Sequence, residues 1–106
     1  MPKYLFRASY TATGAAGLLK EGGTKRVEAL RKLAGGVGGK IESMYWAFGA
    51  DDAFIIAELP DAGAAAAISL NVGASGAASV TTSELLSAEQ VDQIVSRKVE
   101  YRPPGK

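Results

Sequence analysis

Apolar residues along this chain switch between a period of two and a period near 3.6, and the order of the switches limits the available folds. Strands are predicted at residues 3–10, 40–48, 53–59 and 80–86. Helices are predicted at residues 13–34 with a kink at Gly22-Gly23, at 62–73, and after a Ser87 capping box completed by Gln90. This order predicts an α+β fold of the ferredoxin-like, split β-α-β type, with an antiparallel sheet and a short extra C-terminal helix. Residues 1–98 form one domain in this interpretation, and residues 99–106 form an extended tail.

Both faces of the predicted strands carry apolar side chains. The first strand points Tyr4, Phe6, Ala8 and Tyr10 to one side. Strict alternation in the second strand places Ile41, Ser43 and Tyr45 on one face and Glu42, Met44, Trp46 and Phe48 on the other. Helices can cover only one face, so we expect a second copy of the chain to cover the other, with aromatics such as Phe6, Tyr45 or Trp46 among its contacts. The sequence therefore predicts at least a dimer.

The chain contains neither histidine nor cysteine, which removes the usual proton shuttle, thiolate nucleophiles and Cys/His metal sites. We expect no cofactor and no metal, because Asp51-Asp52 has no third carboxylate at ligand spacing and is more typical of a turn. A net charge of +1 gives no electrostatic reason to expect nucleic acid or a membrane surface. Without a signal-peptide pattern or a segment of ~20 apolar residues, the expected location is the cytoplasm.

Five side chains are candidates for a ligand-binding site. Arg7 lies inside the first predicted strand, where a guanidinium must pair with Glu42 or Glu58 or line a wet cavity, and it is the best candidate for holding a carboxylate. Tyr10, Tyr45 and Trp46 could form an aromatic wall near a strand end, although core packing or a dimer contact is the preferred explanation for them. Asp52 could act in the pocket, but in a hairpin it is more often an acceptor for backbone amides.

Two other patterns have simpler explanations. The run from Gly35 to Lys40 is glycine-rich but follows a helix and leads into a strand, the reverse of a phosphate loop, so a helix stop is expected. Thr24 is expected to cap a helix whose outer face carries Lys25, Arg26, Arg31 and Lys32 among acidic residues, which is typical of a solvated surface.

Short motifs in a fixed order resemble those of the GYD-domain family. They are Ser9-Tyr10-Thr11 with Gly14, Arg26, Gly35-Gly36, Gly49-Ala50-Asp51-Asp52, Leu59-Pro60-Asp61 and Thr81-Thr82. One departure is that Asp51 stands at the tyrosine position of the Gly-X-Tyr-Asp signature. The resemblance implies a dimeric α+β barrel in which two ferredoxin-like units pack their sheets face to face, and it implies no activity, because this is a domain family of unknown function.

Three functions are compatible with these patterns. The first is a non-catalytic homodimeric module that binds a small apolar or aromatic metabolite in the barrel interior or acts structurally. The second is a cofactor-free enzyme, of monooxygenase or isomerase type, that uses Tyr10, Arg7 or Asp52 in a closed pocket. The third is a regulatory subunit that presents its helix face or its Pro103-Pro104 tail to another protein.

Overall fold

The computed structural model describes all residues 1–106 as one antiparallel sheet with helices on one face. The strands are β1 (Lys3–Tyr10), β2 (Lys40–Trp46), β3 (Ala53–Glu58) and β4 (Ala78–Leu85). The helices are α1 (Ala12–Glu21), α2 (Gly23–Gly36), α3 (Ala62–Ala74) and α4 (Ala88–Val95). The sheet order is β2-β3-β1-β4, and every neighbouring pair is antiparallel. The α+β prediction, the antiparallel sheet and the short C-terminal helix are confirmed.

The core lies between the sheet and the helices, because alternate residues of the two central strands point to that side. Tyr4, Phe6 and Ala8 of β1 are buried, as are Ala53, Ile55, Ala57 and Leu59 at and after β3. Ala65 and Ile68 of α3 complete the cluster, and the small alanine side chains let this helix approach the sheet closely. A hydroxyl contact of 2.5 Å between Ser69 and Thr82 ties α3 to β4.

Polar side chains fix where several helices begin. Thr11 accepts a hydrogen bond from the Gly14 amide, and Asp61 accepts one from the Ala64 amide. Ser87 and Gln90 form both bonds of the predicted capping box. The prediction that Thr24 caps a helix is wrong: the break falls at Gly22, whose φ of 81° few other residues tolerate, and α2 begins without a side-chain cap.

A bulge in β2 changes which residues share a face. Ile41 lies opposite the buried Ala57, whereas Ser43 lies opposite Ile56 on the other side of the sheet, with the irregularity between them. The prediction that Ile41 and Ser43 share a face is therefore wrong, because the extra residue, Glu42, shifts the alternation by one.

The sheet face turned away from the helices, here called the open face, differs in content from the prediction. Phe6 is buried beneath the helices and Trp46 lies on the same side, opposite Ala53. Of the three aromatics expected there, only Tyr45 lies on the open face, where its side chain is 71% exposed. The register places the apolar residues Leu5, Phe54, Ile56 and Leu85 on the same face.

The segment from 86 to 106 extends away from the sheet. Every one of its residues is exposed, including the apolar Leu86, Val91, Ile94 and Val95 along and before α4. The radius of gyration is 16.8 Å, against about 13 Å for a compact domain of this length. The C-terminal helix therefore adds nothing to the core of its own chain. No helix of the chain combines the length and apolarity required to cross a membrane.

Candidate functional site

An apolar cavity of about 330 Å³ lies between the sheet and the helices α2 and α3. Its floor is formed by β1 and β3 through residues such as Phe6 and Ile55, and its walls include Leu30 of α2 and Val72 of α3. Of its 16 lining residues, 13 are hydrophobic. A cavity of this size and composition, with few polar groups, is typical of a small-molecule site.

Arg26 is the only charged side chain in the lining of this cavity. Its Nε is buried and donates no hydrogen bond, and the nearest carboxylate oxygen, Glu21 Oε2, lies 3.6 Å away. That separation makes an ion pair without a hydrogen bond. The helix break at Gly22 brings the two residues together, since it separates the end of α1 from the start of α2. Lys25, Arg31 and Lys32 of the predicted solvated face are exposed, whereas Arg26 is only partly exposed and lines the cavity with its Nε buried.

Hydrogen bonds connect three of the candidate residues at the end of β1. Trp46 Nε1 donates to Tyr10 Oη at 3.0 Å, and the Tyr10 amide donates to Asp52 Oδ2 at 2.8 Å. The Tyr10 ring lines the cavity and is therefore held from both ends. Asp52 accepts a backbone amide, as expected for its turn position.

The neighbouring carboxylate points elsewhere. Asp51 Oδ1 lies 3.4 Å from the Ser9 hydroxyl, while Asp52 is engaged by the next residue of β1. These contacts fasten the connection between β2 and β3 to the end of β1. Nowhere in the chain do three or more acidic side chains gather as they would around a metal ion.

A second, more open cleft lies beside the first, between α1 and the connection after β2. Tyr10 and Asp52 line it together with Leu18, Leu19 and Phe48. Phe48 adopts the left-handed backbone conformation, with φ of 53°, and lies beyond the end of β2 with its side chain exposed. A non-glycine residue in this region is uncommon and is held there by its surroundings.

The other two candidates, Arg7 and Tyr45, lie on the open face, separated from the cavity by the sheet. Arg7 lies opposite Phe54 on β3 and Thr81 on β4. Neither expected partner pairs with it, because Glu42 pairs with Lys3 and Glu58 with Lys40. The structure thus brings Tyr10, Trp46 and Asp52 together and leaves Arg7 and Tyr45 apart from them.

The resolved pKa shifts fall at the opposite end of β1 from Tyr10. A hydrogen bond to Glu42 raises the pKa of Lys3, and one from Lys40, 3.2 Å away, lowers the pKa of Glu58. Burial raises the pKa of the Tyr4 phenol, and the carboxylate of Glu84, its register partner on β4, raises it further. None of these groups lines the cavity, so the shifts supply no acid or base to it.

Sequence reasoning missed Arg26 as a site residue, although a signal for it exists. Arg26, Leu30 and Leu33 stand at the i, i+4 and i+7 positions of one helix face, and the latter two pack against the core. Arg26 therefore lies on the same helix face as the apolar stripe that packs against the core. The cavity itself could not be inferred, because it depends on how closely α2 and α3 approach each other.

These features define a small α+β domain: a four-stranded antiparallel sheet, helices on one face, and an apolar cavity between the two layers. The chain belongs to the GYD-domain family, which matches residues 4–95. The resemblance noted from the short motifs is thereby confirmed over most of the chain. Neither a curated protein nor a solved structure matches it. The function of the family is unknown, so membership assigns no activity.

Proposed function

We propose that this protein is a homodimeric module that binds a small apolar or aromatic metabolite without transforming it. The observation that carries this proposal is the cavity of about 330 Å³ with its 13 hydrophobic lining residues. Its volume equals that of about eleven liquid water molecules, at ~30 Å³ each. One aromatic ring with a short side chain fits within that space.

The proposed site lies on the helix side of the sheet and not in a barrel interior between two sheets. The side chains that point into the cavity come from the buried face of β1 and β3, such as Ala8 and Ala53. Because both are alanines, their side chains are shorter than those of Tyr10 and Met44, which also line the cavity. Small residues beneath larger ones leave the space that a ligand would occupy.

The proposal includes a ferredoxin-like domain that dimerises through its open face. The strand order β2-β3-β1-β4 supports the split β-α-β topology, because β1 and β2 run parallel with β3 between them. An uncovered face carrying Leu5, Phe54 and Ile56 supports a second copy as its cover, since soluble monomers seldom expose a large continuous apolar patch. A sheet-to-sheet interface would be expected to bury about 2,000 Å².

The exposed apolar side chains of α4 add to this argument. Val91 and Ile94 are each 43% exposed and Val95 is 74% exposed, so the apolar stripe has no partner in its own chain. A second copy is the partner that is always present at the same concentration, and a C-terminal helix that crosses to it would bury this stripe.

The alternative of a cofactor-free enzyme has weaker support from the geometry. It requires Arg7, Tyr10 or Asp52 to act on a substrate in one pocket. Arg7 lies on the open face, and the Asp52 carboxylate and the Tyr10 hydroxyl already hold structural hydrogen bonds. Binding without chemistry therefore accounts for the site with fewer assumptions.

The isoleucines make it possible to test where a ligand binds. The chain has five; Ile55 and Ile68 line the cavity, Ile56 lies on the open face, and Ile41 and Ile94 lie elsewhere. In a protein with ¹³C-labelled isoleucine methyl groups, aromatic ligands should shift the signals of Ile55 and Ile68 only. Shifts confined to Ile56 would place the ligand between the sheets, and unmoved signals with a library of aromatic compounds would refute the binding function.

Sedimentation velocity tests the dimer. The wild type should sediment as a dimer at micromolar concentration, and Ile56→Asp should sediment as a monomer because a charge without a partner would be buried in the interface. Leu70→Asp is the matched control, since Leu70 is 73% exposed on α3, away from the open face. A monomeric wild type, or a dimeric Ile56→Asp variant, would show that the open face is not the interface.

A further inference from the structure

We infer that the ligand of the cavity is a small carboxylic acid, with its apolar part in the cavity and its carboxylate bound by Arg26. This inference rests on the proposed binding function and names the chemical class of the ligand. Arg26 is the one cation in a lining that is otherwise almost entirely apolar. A ligand that complements such a site has one negative charge at one end.

The state of the guanidinium supports this assignment. A buried N–H group without a hydrogen bond is uncommon in folded proteins, because the lost hydration is not replaced. The Nε of Arg26 is in this condition, with Glu21 Oε2 at 3.6 Å. The side chain as a whole remains 37% exposed and lines the cavity, so it is within reach of a ligand there. The planar guanidinium fork matches the two oxygens of a carboxylate.

The uncharged polar groups of the lining already hold hydrogen bonds within the protein. The Asn71 amide donates to the carbonyl of Ala67 at 2.8 Å, the Ser75 hydroxyl donates to that of Val72 at 2.6 Å, and the Tyr10 hydroxyl accepts from Trp46. Arg26 is the one charged group of the lining and therefore the group that can bind an ionic ligand.

The charge around Arg26 favours a carboxylate over a phosphate. A single guanidinium faces the cavity, and the Glu21 carboxylate already offsets part of its charge. A dianionic phosphate would leave a larger excess of negative charge beside Glu21 than a monoanionic carboxylate would. The apolar lining adds the favourable transfer of a ring or branched chain out of water.

A matched pair of ligands tests the inference. Trp46 is the only tryptophan, and it is hydrogen-bonded to Tyr10 in the cavity wall, so its fluorescence reports on binding. We expect 3-phenylpropionate to bind the wild type at least about tenfold more tightly than the neutral 3-phenylpropionamide, since a charged hydrogen bond is replaced by a neutral one. The same titration on isoleucine-labelled protein locates both ligands.

Variants of two arginines on one helix separate charge recognition from shape. Arg26→Met keeps an unbranched side chain of similar length and should weaken binding of the acid about tenfold while leaving that of the amide unchanged. Arg26→Lys keeps the charge but not the fork and should fall between the two. Arg31→Met removes an exposed charge from the same helix and should bind both ligands as the wild type does. Circular dichroism establishes that each variant is folded.

The outcomes distinguish failure of the inference from failure of the proposed function. If the wild type binds acid and amide equally, or Arg26→Met weakens both equally, the carboxylate assignment is wrong and the cavity still binds ligands. If neither compound shifts the signals of Ile55 and Ile68 at millimolar concentration, the carboxylate assignment is overturned, and the proposed binding function is overturned only if the aromatic library also leaves these signals unmoved.

Discussion

Gly14 is the position where the structure leaves least room for a side chain. A Cβ atom built there would lie 1.9 Å from the carbonyl oxygen of Ala77 and 3.0 Å from Cδ1 of Tyr10. The oxygen is fixed, because it accepts hydrogen bonds from the amide of Thr11 at 3.0 Å and from its hydroxyl at 3.2 Å. Gly14→Ala must therefore push the start of α1 away from the segment before β4.

The expected destabilisation follows from these contacts. Restoring an ordinary contact needs a displacement of about 1.5 Å, which disrupts two hydrogen bonds worth about 1 kcal/mol each and adds overpacking strain of about 1–3 kcal/mol. The gain from replacing a helical glycine offsets about 1 kcal/mol. A net loss of about 2–4 kcal/mol lowers the Tm of a chain of this length by about 10–20 °C.

Gly17 on the same helix is the matched control. No atom lies within 4 Å of a Cβ built there, so Gly17→Ala should raise stability by about 0.5–1 kcal/mol. Thermal melts followed by circular dichroism, at one protein concentration, measure both. Trp46 fluorescence should change in Gly14→Ala only, because the Tyr10 ring is displaced. A Gly14→Ala variant that melts at or above the wild-type temperature would refute the close approach of α1 to Ala77.

Three further outcomes are expected. Tyr10→Phe leaves the Trp46 Nε1 without its partner, so urea unfolding should show a loss of about 1 kcal/mol and tryptophan emission should shift. Lys40→Ala should raise the pKa of Glu58 in an NMR titration. A carboxyl group whose pKa is lower in the folded chain than in the unfolded chain stabilises the fold only above the unfolded pKa. The difference in stability between Lys40→Ala and the wild type should therefore disappear as the pH falls through the Glu58 titration. Val72→Phe should fill part of the cavity, raising the Tm and abolishing ligand binding, as melting and titration will measure.

The sequence predicts the elements of this fold well because their signals are local. Alternation in β1 correctly places Tyr4, Phe6 and Ala8 on one common face, although it does not reveal that the helices cover that face. Asp61 caps α3, as its position before an alanine-rich run indicates. Ser87 begins α4 for the same reason. Each of these features depends on residues within a few positions of one another.

What the sequence could not predict depends on contacts between distant segments. The bulge at Glu42 leaves no mark in the apolar pattern, yet it moves Ile41 to the opposite face of the sheet. The inward position of Arg26 depends on the helix break before it and on the cavity that α3 leaves open. The separation of Arg7 from Tyr10 is different, because the alternation of β1 already places these two residues on opposite faces of the sheet.

The cavity itself carries an energetic argument for occupancy. An empty apolar void destabilises a protein by about 24 cal/mol per Å³, so the 330 Å³ here would correspond to about 8 kcal/mol if it were closed and dry. That upper limit is comparable with the whole stability of a domain, about 5–15 kcal/mol. An opening towards solvent lowers this penalty by admitting water, but water in an apolar space gains few hydrogen bonds. A ligand that fills the space recovers part of this energy on binding.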